Sequence, residues 1–275
     1  MAHVPTSDLV VRPVVAVNVV TLEQAEAFVE ASEATGIPLI LQISENTVFF
    51  HGSLAPLASA VLSMASAART PLGVHLDHAT SEDLVREAVS LGVRSVMFDA
   101  SAAHDEENIA RTSALVKELS PQGVWVEGEI GEIGGKGGAH TPGVLTPVHD
   151  AVRFAQETGV DALAVAVGSV HHMKEKGASL DFSRIGELAR ALAIPLVLHG
   201  SSGILAADLR RGISCGITKV NVATQFNAVF VAAVRQILAG EPDLIDPRGF
   251  LSGAKHALTT AMENYLVLVS SVKTE

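Results

Sequence analysis

The chain is poor in cysteine and in basic residues, and both shortages restrict what it can be. Its 275 residues include one cysteine, Cys215, which excludes an internal disulfide framework and is typical of a reducing cytosol. Lys and Arg total 19 against 30 Asp and Glu, which gives a formal net charge of −11. Nucleic acids and anionic membranes both require a basic face, so we expect neither as a partner.

We also expect no membrane span, no secretory leader and no interdomain linker. The apolar stretch at residues 9–20 is interrupted by Arg12, Pro13 and Asn18, and no small-residue cleavage site is evident. This stretch is also too short to cross a bilayer. No low-complexity segment divides the chain. We therefore expect a cytoplasmic protein with a single domain over residues 1–275.

The sequence contains apolar strand-like runs that alternate with helical patterns. Strands are predicted at residues 14–18 and 37–44 and from near residues 71, 93, 123, 161, 195 and 217. Helices are predicted near residues 22–35, 53–69, 81–91, 104–119, 147–158, 181–192, 203–213 and 224–239. Thr21 caps the first of these helices and Gly36 ends it.

Eight strand and helix pairs in a chain of this size predict a closed (β/α)8 barrel, the TIM-barrel fold of the α/β class. An additional C-terminal helix is expected at about residues 247–268, outside the eight repeats. The alternative is an open, doubly wound sheet. It is less favoured because no GxGxxG motif follows the first strand.

Nearly every predicted strand ends in a polar residue that can ligate a metal, move a proton or bind phosphate. These residues are Asn18, Ser44, Asp77 with His78, Asp99 with Ser101, Glu127 with Glu129, His171, His199, and Lys219 with Asn221. In a (β/α)8 barrel the chemistry is found at the C-terminal ends of the strands. Their convergence predicts a functional site there.

The motif His75-Leu76-Asp77-His78 is the most informative of these strand ends. Side chains alternate along a strand, so His75 and Asp77 share one face, and a turn could bring His78 beside Asp77. A carboxylate next to an imidazole suits an acid/base group paired with a metal ligand. His75 lies too early in the strand, and we assign it to the core.

Three histidines at different strand ends could supply a catalytic zinc with three protein ligands and one open position. They are His78, His171 and His199, and the adjacent His172 is an alternative to His171. Two turns, at residues 199–203 and 221–224, offer backbone N–H groups to a phosphate after the last two strands. The glycine-rich residues 131–143 indicate either a mobile loop over the site or a disordered segment.

The motifs together resemble the class II, metal-dependent ketose-bisphosphate aldolases, which include fructose- and tagatose-bisphosphate aldolases. The resemblance lies in HLDHAT, Asp99-Ala100-Ser101, VEGEIGEIGG, AVGSVHH, LVLHGSSGI and KVNVAT, and it extends over nearly the whole chain. It implies Zn²⁺ on His78, His171 and His199, with Glu129 and Asp99 as supporting groups or as an alternative metal position. It also implies that Asp77 exchanges a proton with the C4 hydroxyl of the sugar.

The resemblance further implies a phosphorylated sugar, or dihydroxyacetone phosphate, as the ligand. A monovalent cation, Na⁺ or K⁺, often accompanies its phosphate, and family members are typically homodimers or homotetramers. The residues expected to bind substrate or phosphate are Asn18, Ser44, Gly200, Ser202, Lys219, Asn221 and Thr224.

This chain departs from the family pattern at several positions. The family's loop carries acids shortly after its paired glycines, and one of them shuttles the C1 proton, whereas here Lys136 follows Gly134 and Gly135. Glu132 or His140 would have to replace that acid. Ala223 stands where many fructose-specific members carry an acid, which places the chain nearer the tagatose type and leaves the sugar open. Ser201 and His172 also replace small residues that are usual at their positions.

Three functions are therefore compatible with the sequence. The first is zinc-dependent, reversible cleavage of a ketose 1,6-bisphosphate to dihydroxyacetone phosphate and glyceraldehyde 3-phosphate. The second is a related aldolase that uses a different aldehyde, which the missing loop acid would favour. The third is a catalytically weak ligand-binding homologue. The presence of Asp77 argues against the third, because a binding protein needs no proton-transfer group there.

Overall fold

The computed structural model describes residues 3–130, 145–169 and 179–272, and its strands close into one parallel barrel. The strands are β1 (Val14–Asn18), β2 (Leu39–Ser44), β3 (Leu72–Ala79), β4 (Ser95–Phe98), β5 (Trp125–Glu129), β6 (Ala162–Ala164), β7 (Leu196–Leu198) and β8 (Ile217–Val222). Each pairs with the next, and β8 pairs in parallel with β1. The prediction of a (β/α)8 barrel is confirmed, and the open-sheet alternative is wrong.

Helices follow the strands as the sequence predicts. They are α1 (Thr6–Leu9), α2 (Leu22–Thr35), α3 (Glu45–His51), α4 (Ala55–Ala67), α5 (Glu82–Ser90), α6 (Asp105–Leu119), α7 (Val148–Thr158), α8 (Phe182–Ala191), α9 (Ala206–Ser214), α10 (Thr224–Gly240) and α11 (Pro247–Ser270). The last of these confirms the additional C-terminal helix. Helices α1 and α3 were not predicted.

Among the described residues, no single helix is both long enough and apolar enough to cross a membrane. The consecutive helices α3 and α4 reach that length and composition only as a pair, and they are bent by 119° at their junction.

Side-chain hydrogen bonds cap the start of α2 and the start of α3, and a glycine ends α2. Thr21 and Gln24 form a capping box at the start of α2, and Gly36 ends that helix with φ 68°, as the sequence predicts. At the end of β2 the Ser44 hydroxyl accepts a hydrogen bond from the backbone N–H of Thr47. Because Ser44 both ends the strand and caps α3, the chain passes from strand to helix without a loop.

Apolar side chains fill the N-terminal end of the barrel. Leu9 and Val10, from the segment before β1, pack beneath inward-facing residues such as Ala16 and Ile40. Gly73 provides the room, because a Cβ at that position would lie 3.0 Å from Leu9 Cδ1. Apolar packing closes this end of the barrel, and the polar side chains of the strands gather at the other end.

The C-terminal helix α11 packs against α2 and α10. Lys255 forms ion pairs with Glu26 at 3.1 Å and with Glu30 at 2.7 Å. The Tyr265 ring meets the edge of Phe226 at a centroid distance of 5.5 Å, and its hydroxyl lies 3.4 Å from Ser201 Oγ. Helix α11 thus contacts the turn after β7 through Tyr265.

We expect the substitution Gly216→Ala to destabilise the fold. Gly216 joins α9 to β8 with φ 129°, and an added Cβ would overlap Ala189 Cβ on α8. The backbone strain and the overlap should lower the free energy of unfolding by about 1–3 kcal/mol, measured by urea denaturation. Gly240→Ala is the matched control, because Gly240 ends α10 with open space around it and a Cβ there should change stability by less than about 1 kcal/mol. Equal stability of the two variants would contradict this account of the contact between Gly216 and Ala189.

Candidate active site

A cavity of about 560 Å³ lies at the C-terminal end of the barrel. Its wall is built from the ends of strands and the turns that follow them. The predicted site residues that line it are Asn18, Ser44, Asp77, His78, Asp99, His199, Gly200, Ser202, Asn221 and Thr224. The strand ends β1, β2, β3, β4, β7 and β8 are therefore brought to one place, as the barrel topology requires.

Asp77 is buried in the wall of this cavity and is held by two amide side chains. Its Oδ2 accepts a hydrogen bond from Asn18 Nδ2 at 2.8 Å, and its Oδ1 accepts a longer one from Asn221 Nδ2 at 3.5 Å. Burial alone would raise the pKa of Asp77. The nearby His78, His199 and Lys219 and the bond from Asn18 outweigh burial and lower that pKa, which favours a carboxylate.

His78 reaches the cavity through an unusual backbone conformation. Its φ is 52°, the left-handed region that residues with a Cβ seldom adopt, and the pairing of β3 with β4 shifts register beside it. This turn breaks the alternation of the strand and brings the imidazole to the side of Asp77. The expected proximity of His78 to Asp77 is observed.

The two described histidines of the predicted zinc site face one another. His78 Nε2 lies 2.9 Å from His199 Nδ1, and donor atoms of Asp77, His78 and His199 all lie within 4.8 Å of one another. His199 is almost fully buried directly after β7. Two imidazoles and a carboxylate that converge in this way fit the donor set of zinc. The residues present therefore suit a metal ion.

A second group lies on the other nitrogen of His78. His78 Nδ1 is 3.0 Å from Asp99 Oδ2 and 3.7 Å from Glu129 Oε2, and these three residues also offer donors within 4.8 Å of one another. Ser101 donates its hydroxyl to Asp99 at 2.6 Å. Glu129 is fully buried behind His78 and does not line the cavity. The arrangement fits two roles equally well: Asp99 and Glu129 either hold the His78 ring in place or form an alternative metal position with it.

Lys219 lies apart from the cavity, contrary to its expected place beside the substrate. Its side chain is fully buried in the barrel interior, where Nζ forms an ion pair with Glu127 Oε2 at 2.7 Å. His75 occupies the same layer, also fully buried, with Nδ1 2.7 Å from Ser95 Oγ. Burial is the main cause that keeps the pKa of His75 well below its usual range, so the ring is neutral. The assignment of His75 to the core is confirmed.

The two predicted phosphate turns are tied to each other. Gly200 adopts a left-handed conformation, φ 66°, before the 3-10 turn Ser201–Gly203. Ser201 Oγ donates to the Asn221 carbonyl at 2.6 Å, and the backbone N–H of Gln225 donates to Ser202 Oγ at 3.2 Å. The turns after β7 and β8 therefore form one continuous edge of the cavity, next to the N-terminus of α10.

Several residues of the site were not predicted from the sequence. Gln42 Nε2 donates to Asn18 Oδ1 at 3.2 Å, so it supports the amide that holds Asp77. Glu45 Oε2 accepts the Thr80 hydroxyl at 2.8 Å at the mouth of the cavity. Phe50 also lines the mouth and is largely exposed. Alternation could have indicated Gln42, which lies two residues before Ser44 on the same strand.

Some predicted elements lie outside the described residues. They are the third histidine, His171, with its neighbour His172, and the glycine-rich stretch with Glu132, Lys136 and His140. The structure therefore places two of the three proposed zinc histidines.

Two solved structures that are similar to this chain are aldolases by their descriptions. The YdjI aldolase from Escherichia coli K12 is 27% identical, with a TM-score of 0.86 and coverage of 98% of both chains. A putative fructose-1,6-biphosphate aldolase from Coccidioides immitis is 26% identical, with a TM-score of 0.85 and coverage of 97% of this chain and 96% of that one. A fructose-bisphosphate aldolase from Campylobacter jejuni, 21% identical with a TM-score of 0.80 and coverage of 100% and 97%, shares the fold.

The sequence itself matches the family described as fructose-bisphosphate aldolase class-II over residues 12–274. That match includes every strand of the barrel and every described residue of the candidate site. The chain belongs to the class II fructose-bisphosphate aldolase family.

Proposed function

We propose that this protein is a zinc-dependent aldolase that reversibly cleaves a ketose 1,6-bisphosphate, of the fructose or tagatose type. The products would be dihydroxyacetone phosphate and glyceraldehyde 3-phosphate. The observation that carries this proposal is the convergence of Asp77, His78 and His199 at the cavity wall. Membership of the class II family, whose members generally depend on a metal, supports it.

His78 and His199 would hold the zinc ion, with His171 as the third ligand. When bound, zinc supplies a Lewis acid that polarises substrate oxygens and offsets the negative charge that develops during cleavage. Asp99 and Glu129 would keep the His78 ring in place through Nδ1, or offer the ion an alternative position.

Asp77 would act as the acid/base group. In cleavage its carboxylate takes the proton of the C4 hydroxyl, the C3–C4 bond breaks, and the aldehyde leaves. The electron pair of that bond stays with the dihydroxyacetone phosphate fragment as an ene-diolate, which would take up a proton at that carbon from Glu132, His140 or water, while Asp77 gives up its proton to solvent. In condensation Asp77 returns the proton to the new alkoxide. The hydrogen bonds from Asn18 and Asn221 fix the carboxylate for this transfer.

The joined turns after β7 and β8 would hold the phosphate of the triose. Gly200, Ser202, Asn221 and Thr224 lie along this edge, and a Na⁺ or K⁺ ion would accompany the phosphate. Asn18 and Ser44 would contact the rest of the substrate from the ends of β1 and β2, which continue the barrel wall beyond β8. We further propose that the protein is a cytoplasmic, single-domain homodimer or homotetramer.

A second candidate function differs in the aldehyde. Lys136 follows Gly134 and Gly135 where the family's loop usually carries acids, and this favours an aldolase with a different acceptor. Such an enzyme would retain the triose-phosphate half of the site and would cleave either ketose bisphosphate weakly.

The first test is a coupled cleavage assay on fructose 1,6-bisphosphate and tagatose 1,6-bisphosphate, with added zinc and after chelation. We expect turnover on one of the two sugars, loss of that turnover on removal of the metal, and recovery with zinc. Chelator-insensitive cleavage would refute the metal mechanism. Zinc-loaded protein that cleaves neither sugar would favour the different acceptor.

We expect Asp77→Ala to lower kcat by about 100- to 10,000-fold, the range for removal of an acid/base group, while zinc stays bound. Zinc content is measured in the same sample, because loss of the ion would produce the same fall in rate. Asp105→Asn is the control, since Asp105 is an exposed carboxylate at the start of α6 and does not line the cavity. Wild-type turnover in Asp77→Ala would eliminate Asp77 as the proton-transfer group.

His199→Ala should lose bound zinc, because it removes the Nδ1 donor that faces His78 Nε2. Metal content by atomic spectroscopy after gel filtration gives the readout, and circular dichroism establishes that the barrel is intact. His149→Ala is the matched control, since His149 is an exposed histidine whose Nε2 lies 2.9 Å from the neighbouring Asp150 and which does not line the cavity. One zinc per chain in folded His199→Ala would disprove the ligand assignment.

A further inference from the structure

A buried charge pair lies directly beneath the candidate site. Glu127 on β5 and Lys219 on β8 both have no exposed side-chain area, and Glu127 Oε2 accepts from Lys219 Nζ at 2.7 Å. Two charges removed from water are costly to the fold unless they satisfy each other. Their pairing accounts for one oxygen of the Glu127 carboxylate and leaves the other oxygen available to a different partner.

That second oxygen contacts a histidine of the site. Glu127 Oε1 lies 2.9 Å from His199 Nε2. A carboxylate can only accept a hydrogen bond, so the imidazole must carry its proton on Nε2. Nδ1 is then the unprotonated nitrogen, and Nδ1 is the atom that faces His78 Nε2. The contact with Glu127 thus selects the tautomer in which His199 can donate to a metal.

One neighbouring contact favours the opposite tautomer. Asn221 Nδ2 lies 3.1 Å from His199 Nε2 and, as a donor, would prefer an unprotonated nitrogen there. A hydrogen bond to a charged carboxylate is roughly twice as strong as one between neutral groups. Asn221 Nδ2 also has Asp77 Oδ1 at 3.5 Å as an acceptor. The carboxylate therefore decides the position of the proton.

We propose that Glu127 is a positioning residue that holds His199 in the Nε2-protonated tautomer and turns Nδ1 toward the metal, while Lys219 supplies the buried counter-charge for Glu127. The metal half of this inference rests on the proposed function, whereas the tautomer half does not. It also gives Lys219 a role that does not require contact with the substrate.

The roles of the two residues can be separated by substitution. Glu127→Leu or Lys219→Met alone leaves one buried charge without its partner and should lower Tm. The double variant Glu127→Leu/Lys219→Met replaces the pair with apolar groups of similar size and should recover most of that loss. We therefore expect stability to depend on whether both buried charges are present or both are removed. We expect zinc affinity to depend on whether the Glu127 carboxylate is present.

The measurement is the zinc dissociation constant, from competition with a chromophoric chelator, for folded variants at one pH. We expect binding about 10- to 100-fold weaker in Glu127→Leu/Lys219→Met than in the wild type, the range for loss of a group that orients a metal ligand. The zinc affinity of Glu127→Gln/Lys219→Met should lie between those of the wild type and Glu127→Leu/Lys219→Met, because an amide oxygen still accepts a hydrogen bond from His199 Nε2. Ser95→Ala is the control: it disturbs the same interior at His75 and should leave zinc affinity unchanged.

Wild-type zinc affinity in folded Glu127→Leu/Lys219→Met would overturn the proposal and leave the proposed aldolase function intact. If the wild-type protein binds no zinc, the zinc dependence of the proposed function is refuted. The tautomer of His199 is then measured in the zinc-free protein. There, ¹⁵N shifts of the His199 ring should show Nε2 protonated in the wild type and a mixture of tautomers in the double variant. The same single tautomer in both would overturn the proposal.

Discussion

The closure of the barrel through β8 and β1 is the constraint on which the site depends. The pairing places Asn221 opposite Ala16, two residues before Asn18 on the same strand. Both amides then reach the carboxylate of Asp77, although Asn18 is 59 residues and Asn221 is 144 residues away in sequence. An open, doubly wound sheet has its first strand in the interior and would lack the pairing of β8 with β1, so these three side chains would not meet.

Within the closed barrel, charge is balanced over short distances because water is excluded. Asp77 is an example: burial works against its ionised form, but the surrounding imidazoles, Lys219 and the Asn18 amide reverse that effect on its pKa. The donors that do this are fixed in place by other hydrogen bonds, such as that from Gln42 to Asn18. A site of this kind is organised before the substrate arrives, so little rearrangement is needed when charge develops in the reaction.

Much of the fold could be predicted from the sequence, because local signals determine it. The alternation of apolar strands and helices predicts the barrel, and Thr21 and Gly36 predict where α2 begins and ends. Helix α3 was not predicted, because its seven residues follow β2 without a turn and are too few to show a helical period.

The candidate site was predicted less completely, and Lys219 shows the reason. A period of two identifies which side chains point inward, but it does not say how deep each lies along the barrel axis. That depth depends on the stagger between strands, which is a property of the closed sheet. Lys219 points inward, as expected, but it lies one layer below the cavity and meets Glu127 there. The position of His78 likewise depends on a backbone turn, φ 52°, that its residue type does not favour.

Two layers of inward-facing residues explain how the barrel combines stability with chemistry. On three strands a fully buried residue in the lower layer is followed two positions later by a residue of the candidate site: His75 then Asp77, Glu127 then Glu129, and Lys219 then Asn221. The lower layer contains a carboxylate and an ammonium that neutralise each other, together with a neutral imidazole. Because β5 and β8 are not neighbours, their ion pair joins separate parts of the barrel wall directly beneath His199. The geometry of the candidate metal ligands is therefore set by the same contacts that hold the barrel interior together.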